Sequence, residues 1–327
     1  MKDLIAGINS QINKAISIAE AAKFKTPGKK IDHILLCGLG GSGIGGSIVS
    51  QLLKSELNVP FILVNDYNVP AFVSENTLLI ASSYSGNTEE TIAAVEEGQK
   101  KGAEICVVTS GGKLAEMAKA NGWNYAIVPG GEQPRAMLAY SIIQQLYMLH
   151  RYGLTNDKHI KALKDVPNLL DKHETAIREE AMILAKKLPN HIPIIYADSA
   201  FGGVATRFKQ QINENSKELC WTHVLPEMTH NELVGWAGGK PTMAPIYLAT
   251  DYDHPRTTER WKISKEVISK YTRNISEIHA KGDSRIAQVF YLIHLTDWVS
   301  LYLSELKKVD PVEVEVISYL KSEMAKR

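Results

Sequence analysis

Residues 31–43 read Ile-Asp-His-Ile-Leu-Leu-Cys-Gly-Leu-Gly-Gly-Ser-Gly, a short apolar run followed at once by a glycine-rich turn. The apolar run from Ile31 to Cys37 predicts a buried strand, and residues 44–53 continue as a helix. A strand, a glycine turn and a helix in this order are typical of one unit of an α/β fold.

The same alternation extends through the first half of the chain. Further strands are predicted at residues 61–64, 77–81, 105–109 and 125–128, and helices at 3–23, 89–101, 113–121 and 134–151. Short apolar strands that alternate with helices imply a parallel sheet covered by helices on both faces.

The second half repeats this plan. A strand at 192–197 is followed by Phe201-Gly202-Gly203 and a helix at 204–213, and another strand is predicted at 244–249. Other predicted elements are charged helices over 156–188, helices at 255–271, 285–306 and 312–325, and a short strand at 277–279. We therefore expect two αβα sandwich lobes, each with a central parallel sheet flanked by helices. Their boundary is expected near 153–158, which divides the chain into 1–153 and 154–327.

Composition narrows the class of function. The 327 residues carry 37 basic and 36 acidic side chains, a formal net charge of +1. This balance gives no reason to expect nucleic acid or an anionic membrane as the main partner. No signal peptide is evident, and the apolar stretches are too short or too interrupted to span a bilayer. The three cysteines are widely spaced and match no zinc-ligand spacing, so we expect free thiols in a cytoplasmic protein.

The glycine turn Gly38-Leu39-Gly40-Gly41-Ser42-Gly43 matches the G-x-G-x-x-G pattern after a strand. Asp66 follows at about the distance expected of a dinucleotide-binding site. A nicotinamide-dependent dehydrogenase is therefore one alternative, and a tight turn that needs glycine for steric reasons is another.

A second loop favours phosphate over a dinucleotide. Residues 82–91 read Ser-Ser-Tyr-Ser-Gly-Asn-Thr-Glu-Glu-Thr and join a predicted strand to a predicted helix. Ser83, Ser85 and Thr88 supply hydroxyls, Gly86 allows close backbone approach, and the new helix offers unpaired N–H groups. These are the groups that hold a phosphate without a metal. The alternative is that Thr88 simply caps the helix.

The loop Ser-Tyr-Ser-Gly-Asn-Thr-Glu-Glu-Thr resembles the signature of sugar isomerase (SIS) domains. Four further motifs and one long apolar segment are found in the order of the bifunctional phosphoglucose/phosphomannose isomerases of archaea and some bacteria: G-L-G-G-S-G-I-G-G at 38–46, P-G-G-E-Q-P-R-A-M-L at 129–138, N-E-N-S-K at 213–217, H-N-E-L-V-G-W at 230–236 and S-R-I-A-Q-V-F-Y-L-I-H-L at 284–295. The whole chain therefore resembles this family. The resemblance implies two SIS-type lobes and a sugar-phosphate substrate. It also implies a binding set made of Gly40, Gly41, Ser42, Ser83, Ser85 and Thr88.

The resemblance also implies a mechanism without metal or other cofactor. Proton transfer between C1 and C2 through a cis-enediol requires a base, and the glutamate of N-E-N, here Glu214, matches that role. His230 matches the histidine that opens the sugar ring, and Lys321 the lysine that assists it. Arg135 matches the arginine that supports the base and the enediolate. The resemblance further implies a homodimer in which the histidine comes from the second subunit.

Each of these residues has a structural alternative. Glu214 falls near the end of a predicted helix, where an ordinary exposed acid is common. His223 is a nearby competitor of His230. Arg135 follows the proline that opens a helix and could form an ordinary ion pair, and Lys321 lies on a charged helix whose solvated face would explain it. The chain also departs from the family at Val312-Glu313, where a Thr-Pro pair is usual, which leaves the register of the last helix open. The stretch 219–223, between the base and the histidine, differs as well, which leaves the sugar preference open.

Two more alternatives remain from the sequence. SIS domains also serve as non-catalytic phosphosugar sensors, although a basic DNA-binding segment that would normally accompany that role is not found. A metal-dependent mannose-phosphate isomerase would require Glu227 and His230 as ligands, and two residues are a weak metal signature.

Overall fold

Two parallel sheets form the framework of the computed structural model, which describes residues 1–25, 28–324 and 326. The first sheet has five strands in the order β2-β1-β3-β4-β5, and all its pairings are parallel. Its strands are β1 (His33–Cys37), β2 (Phe61–Val64), β3 (Thr77–Ser82), β4 (Glu104–Thr109) and β5 (Asn124–Ile127). β3 is buried along its whole length, as expected for a strand covered on both faces.

Six α-helices accompany this sheet in the described part of the first lobe. They are α1 (Lys2–Ala6), α2 (Ile8–Ala21), α3 (Gly40–Leu52), α4 (Glu89–Lys100), α5 (Gly112–Asn121) and α6 (Leu138–Arg151). The opening helix predicted at 3–23 is two helices, which meet at Gly7. The helix predicted from Pro134 begins as a 3-10 turn at Pro134–Ala136, and α6 follows at Leu138.

The second sheet has four strands in the order β7-β6-β8-β9, again all parallel. They are β6 (Ile192–Asp198), β7 (Trp221–Leu225), β8 (Met243–Ala249) and β9 (Ser276–His279). β7 was not predicted, because it is an edge strand whose first residue is exposed and whose next three are only partly buried. The expectation of two αβα lobes, each with a parallel sheet, is confirmed.

Among the residues that the structure describes, seven α-helices belong to the second lobe. They are α7 (Lys158–Leu163), α8 (Val166–Lys187), α9 (Gly202–Ser216), α10 (Glu232–Gly235), α11 (Pro255–Ile268), α12 (Arg285–Lys307) and α13 (Glu315–Met324). The last helix was predicted over 312–325 but begins only at Glu315, and Ala325 lies outside the described residues. α12 is long and apolar enough to cross a membrane, yet 94% of its most apolar window is buried inside the protein. It is therefore a core helix, packed against α8 and α9.

Close backbone contact joins the two lobes where α9 begins. The Gly203 N–H donates to Gln51 Oε1 at 2.7 Å, and a Cβ on Gly203 would lie 3.0 Å from Ile48 Cγ1. α3 and α9 each follow a central strand of their own sheet, so this contact packs equivalent helices of the two lobes against each other. The carboxyl end of β1 and the helix α9 are thereby brought together.

A buried ion pair lies behind α9. Arg207 and Asp297 are 3% and 5% exposed, and Arg207 Nη2 donates to Asp297 Oδ2 at 2.9 Å. Gln211 donates to the same carboxylate at 2.8 Å. Arg207 Nη2 also donates to the carbonyl of Arg135 at 3.0 Å. The pair therefore fixes two helices of the second lobe and one backbone position of the first.

Replacement of Arg207 by Met should lower the free energy of unfolding by about 3–5 kcal/mol, because it leaves the Asp297 carboxylate buried without its cation. The double variant Arg207→Met, Asp297→Leu should recover much of that loss, since both charges are gone. Urea unfolding measures both effects. The exposed pair Lys262–Glu259 provides the control, and Lys262→Met should change stability by less than about 0.5 kcal/mol. Equal stability of the single and double variants would contradict this account.

Candidate active site

The hydroxyl-rich loop that follows β3 is tied together by its own side chains. Ser83 Oγ and Thr88 Oγ1 are 2.7 Å apart, and the Gly86 N–H donates to Ser83 Oγ at 3.2 Å. The Asn87 N–H donates to Ser85 Oγ at 3.2 Å. Ser83 is buried beneath the loop, whereas Ser85 is exposed at its rim. The loop is thus a preformed turn with one hydroxyl available at the surface.

Gly86 is required by this turn. Its φ of +70° lies in the left-handed region, and a Cβ would be 1.8 Å from the carbonyl oxygen of Gly111. The neighbouring loop after β4 therefore presses directly on the hydroxyl loop, and no larger residue fits at position 86.

The first turn of α4 is not capped by a side chain. Thr88 occupies the N-cap position, but its hydroxyl pairs with Ser83 rather than with the helix. The capping alternative for Thr88 is therefore wrong. Glu89 and Glu90 lie in the first turn, where their carboxylates interact favourably with the positive end of the helix dipole. An anion here would have to be held mainly by loop hydroxyls and N–H groups.

The glycine turn after β1 packs beside this loop. Ser42 Oγ accepts a hydrogen bond from the Tyr84 N–H at 3.0 Å, which joins the two loops. A Cβ on Gly38 would lie 2.6 Å from the Ser82 carbonyl oxygen, so the glycine is needed for close approach. Gly40 has a φ of +52°, and a Cβ on Gly41 would be 3.2 Å from the Pro134 carbonyl oxygen. The six residues of the expected binding set are thus gathered at the carboxyl ends of β1 and β3.

A small pocket opens between the two loops and α6. Its wall combines hydroxyl groups with apolar surface. It is lined by Gly41, Ser42, Ser82, Tyr84, Val108, Thr109, Val128, Pro134, Met137, Tyr140 and Ser141.

Arg135 and Glu214 meet across the two lobes. Arg135 Nη1 donates to Glu214 Oε2 at 3.2 Å, and Arg135 Nε donates to Asn215 Oδ1 at 2.7 Å. Only 5% of the Arg135 side chain is exposed, against 31% of the Glu214 side chain. Burial lowers the pKa of Arg135, while the Glu214 carboxylate acts in the opposite direction. The arrangement presents a partly open carboxylate beside a buried guanidinium.

A backbone segment covers this pair. Arg135 Nη2 donates to the Pro311 carbonyl at 2.5 Å. Lys217 Nζ donates to the carbonyl oxygens of Glu214, Asp310 and Glu313, at 2.7, 2.8 and 2.8 Å. We call residues 310–313 the C-terminal strap. Two cations on either side of Glu214 therefore hold the strap that leads into α13.

His230 lies apart from this cluster within the single chain. It ends the 3-10 turn Glu227–His230 that follows β7, and its side chain is exposed. Among the described residues no hydrogen bond joins it to Glu214 or Arg135. Its competitor His223 is already engaged, because Nδ1 donates to Glu232 Oε2 at 2.8 Å.

Lys321 also lies apart from the cluster. It is exposed on α13, a helix none of whose residues is buried. Within residues 1–25, 28–324 and 326 its ammonium makes no hydrogen bond or ion pair. The structure of one chain thus brings together Arg135, Glu214 and the two loops, but neither His230 nor Lys321.

Two neighbours of Glu214 were missed in the sequence. Asn215 bridges Arg135 Nε and Ser300 Oγ, the latter at 2.9 Å, and Lys217 ends α9 with a φ of +50°. Both belong to the motif Asn-Glu-Asn-Ser-Lys, from which only the acid was interpreted. Their partners outside this motif are 80 or more positions away, so no local pattern could reveal those contacts.

The acidic residues that the dinucleotide and metal alternatives require make local hydrogen bonds. Asp66 is exposed, and its Oδ1 accepts a hydrogen bond from the next backbone N–H at 2.6 Å. Glu227 is exposed and accepts a hydrogen bond from Asn231 Nδ2 at 2.7 Å. In the part of the chain that the structure describes, no three His, Cys, Asp or Glu side chains are grouped as metal ligands.

Comparisons with known proteins match both lobes. Residues 29–152 match the family model of the SIS domain, and residues 177–324 match that of the bacterial phospho-glucose isomerase C-terminal SIS domain. The chain is 38% identical to a bifunctional phosphoglucose/phosphomannose isomerase of Caldicellulosiruptor bescii, over 99% of both chains. It is 37% identical to one of Aquifex aeolicus, over 94% of both.

Solved structures share the fold at lower identity. The C-terminal domain of glucosamine-fructose-6-phosphate aminotransferase from Francisella tularensis aligns with a TM-score of 0.72 and 14% identity, covering 96% of this chain and 97% of that one. This likeness concerns the fold alone. The two matched domains and the near full-length relatives together show that the chain belongs to the family of bifunctional phosphoglucose/phosphomannose isomerases.

Proposed function

We propose that this protein interconverts fructose 6-phosphate with glucose 6-phosphate and mannose 6-phosphate. The observation that carries the proposal is the partly exposed Glu214 carboxylate, held by Arg135 from the opposite lobe and next to two hydroxyl- and glycine-rich loops. Relatives with 37% and 38% identity over nearly their whole length bear the same activity in their names.

Glu214 is the proposed base. Its carboxylate takes the proton from C2 of the open-chain aldose while the C1 carbonyl oxygen gains a proton, which gives the cis-enediol. The acid then returns the proton to C1 as the O2 hydroxyl loses its own, which gives the ketose. Arg135 lies 3.2 Å from the carboxylate and offers positive charge to the developing enediolate. The glucose and mannose phosphates differ only at C2 and share this enediol.

The two loops are the proposed phosphate site. Ser42, Ser83, Ser85 and Thr88 supply hydroxyls, and Gly40 and Gly41 let the backbone N–H groups approach the anion. The exposed Ser85 hydroxyl and the uncapped first turn of α4 support this assignment.

We also propose a homodimer in which His230 of the partner subunit opens the sugar ring, assisted by Lys321. Two features support it. His230 is exposed and, among the described residues, makes no hydrogen bond to Glu214. α13 exposes apolar side chains to solvent, including Val316 at 77%, Tyr319 at 67% and Leu320 at 60% exposure. Exposed apolar surface of this kind is typical of a protein–protein interface.

Three further assignments complete the proposal. The lobes divide at 153/154, a position supported by the end of α6 at Arg151 and the start of α7 at Lys158. The reaction takes place in the cytoplasm, in keeping with three free cysteines. It requires no metal ion.

A coupled assay tests the activity directly. Fructose 6-phosphate is added to purified protein, and glucose 6-phosphate and mannose 6-phosphate are followed separately with and without EDTA. We expect both products at rates unaffected by the chelator. Loss of activity with EDTA would favour a metal-dependent isomerase, and binding without any product would favour a phosphosugar sensor.

The variant Glu214→Gln should lower kcat by about 10²- to 10⁴-fold with little change in KM, because the amide cannot accept the proton. The exposed Glu266→Gln removes the same charge elsewhere on the second lobe and should leave both constants unchanged. Full activity of Glu214→Gln, or an equal loss of binding and rate, would remove Glu214 from the role of base.

The variants Ser83→Ala and Ser85→Ala should chiefly raise KM for the sugar phosphates. Each lost hydrogen bond to a charged group is worth about 1.5–3 kcal/mol, roughly 10- to 100-fold in affinity. Ser50→Ala provides a control, since that hydroxyl bonds within its own helix. Steady-state kinetics with the phosphorylated and free sugars separate the effects. An equal loss for free and phosphorylated sugar would contradict the phosphate assignment.

Mixed dimers test whether His230 acts across subunits. Glu214→Gln and His230→Ala should each be nearly inactive alone. The two variants are unfolded, mixed in equal amounts and refolded together. Half of the resulting dimers contain one subunit of each variant and therefore one intact site of two, so about a quarter of the wild-type activity should return. Activity that stays at the level of the separate variants would place His230 and Glu214 of one chain in the same site.

A further inference from the structure

The segment that bears His230 is fixed on the side that precedes the histidine. Thr229 Oγ1 donates to the Pro226 carbonyl at 2.6 Å, which closes the turn. Arg260 Nη1, from α11, donates to Thr229 Oγ1 at 2.8 Å. The residue before His230 is therefore held in place by the neighbouring helix α11.

The side that follows His230 is fixed by a carboxylate. Glu232 Oε1 accepts hydrogen bonds from Tyr196 Oη and from Trp221 Nε1, the latter at 3.3 Å. Its other oxygen, Oε2, accepts from His223 Nδ1 at 2.8 Å. Three donors from the adjacent strands β6 and β7 thus converge on one side chain of α10.

The innermost of these donors is rigid. Tyr196 is fully buried, and its hydroxyl also accepts a hydrogen bond from Trp236 Nε1 at 3.1 Å. Burial and the neighbouring Glu232 raise the pKa of Tyr196, so the hydroxyl keeps its proton and remains a donor. The network therefore anchors α10 at its start, through Glu232, and just beyond its end, through Trp236.

An exposed histidine with both flanks held in this way differs from an ordinary surface residue. Its imidazole has no hydrogen-bond partner among the described residues, while its neighbours are tied to β6, β7 and α11. Groups that act on a substrate must be held within about 0.5 Å of their working position. Ordinary surface turns need no such support.

We infer that Glu232 is a positioning residue that orients His230 for ring opening and does not itself touch the substrate. This inference rests on the proposed role of His230. A simple ion pair between Glu232 and His223 would not explain why Tyr196 and Trp221 donate to the same carboxylate.

Glu232→Gln tests the inference because the amide keeps the shape of the side chain but offers a single acceptor oxygen to the three donors. We expect kcat to fall roughly 10- to 100-fold, since a small displacement of a catalytic group has an effect of this size. KM should change little, because the phosphate loops lie in the other lobe. Glu259→Gln, an exposed change of the same kind on α11, should leave kcat unchanged.

A double-mutant cycle with His230→Ala gives the decisive measurement. If Glu232 acts through His230, adding Glu232→Gln to His230→Ala causes no further loss of kcat. Tyr196→Phe removes one of the three donors and should show a smaller loss that also disappears in the His230→Ala background. That variant replaces Glu232→Gln in the cycle if the latter fails to fold, as judged by its thermal midpoint.

The outcomes separate the inference from the function on which it rests. Losses that multiply in the double variant would overturn the positioning role and leave His230 as the ring-opening group. Wild-type activity of His230→Ala would overturn the role of His230 and, with it, this inference. Neither result bears on the proposed role of Glu214, which the Glu214→Gln variant tests separately.

Discussion

The contact between the Arg135 guanidinium and the Glu214 carboxylate joins two lobes that have separate sheets. A guanidinium that is almost fully buried must find a partner for each N–H, and Arg135 finds them on three parts of the chain: Gln133 beside it, Glu214 and Asn215 at the end of α9, and the C-terminal strap. A buried cation without those partners would be costly. The three parts therefore have to meet in one arrangement, and that arrangement includes the proposed base.

The layers behind this contact are polar as well. Asn215 connects Arg135 to Ser300 on α12 through hydrogen bonds. Arg207, which is paired with Asp297, donates a hydrogen bond to the Arg135 carbonyl. Such interiors hold one geometry firmly, because each displaced member leaves a buried group unsatisfied. The same lobe keeps His230 at its surface by a second network centred on Glu232. The second lobe therefore holds Glu214 and the segment of His230 in two separate hydrogen-bond networks.

The strands of this fold could be predicted well because most are short apolar runs buried on both faces, and β2 was predicted at its observed bounds. The helix α3 starts four residues earlier than predicted, at Gly40, in spite of the low helix propensity of glycine. Its glycines are explained by packing: a Cβ on Gly45 would lie 2.5 Å from Ser141 Oγ, and one on Gly46 would lie 2.4 Å from Leu36 Cδ2. Sequence patterns do not contain these neighbours. Glu214 and Arg135 could be chosen because their motifs resemble the family, whereas the contacts of the strap and of Lys217 could not be foreseen, since they join distant parts of the chain.

The absence of a side chain at Gly41 has a consequence for selection among substrates. It allows the glycine turn to rest against the backbone of Pro134 and Arg135, which fixes how far the proposed phosphate loops lie from the arginine and hence from Glu214. In a hexose 6-phosphate the phosphate and the C1–C2 pair are at opposite ends of the carbon chain. The distance between the proposed phosphate site and the proposed base therefore sets which substrates can react. A sugar phosphate of a different chain length, or one with its phosphate on C1, would reach one of these two proposed sites but not both.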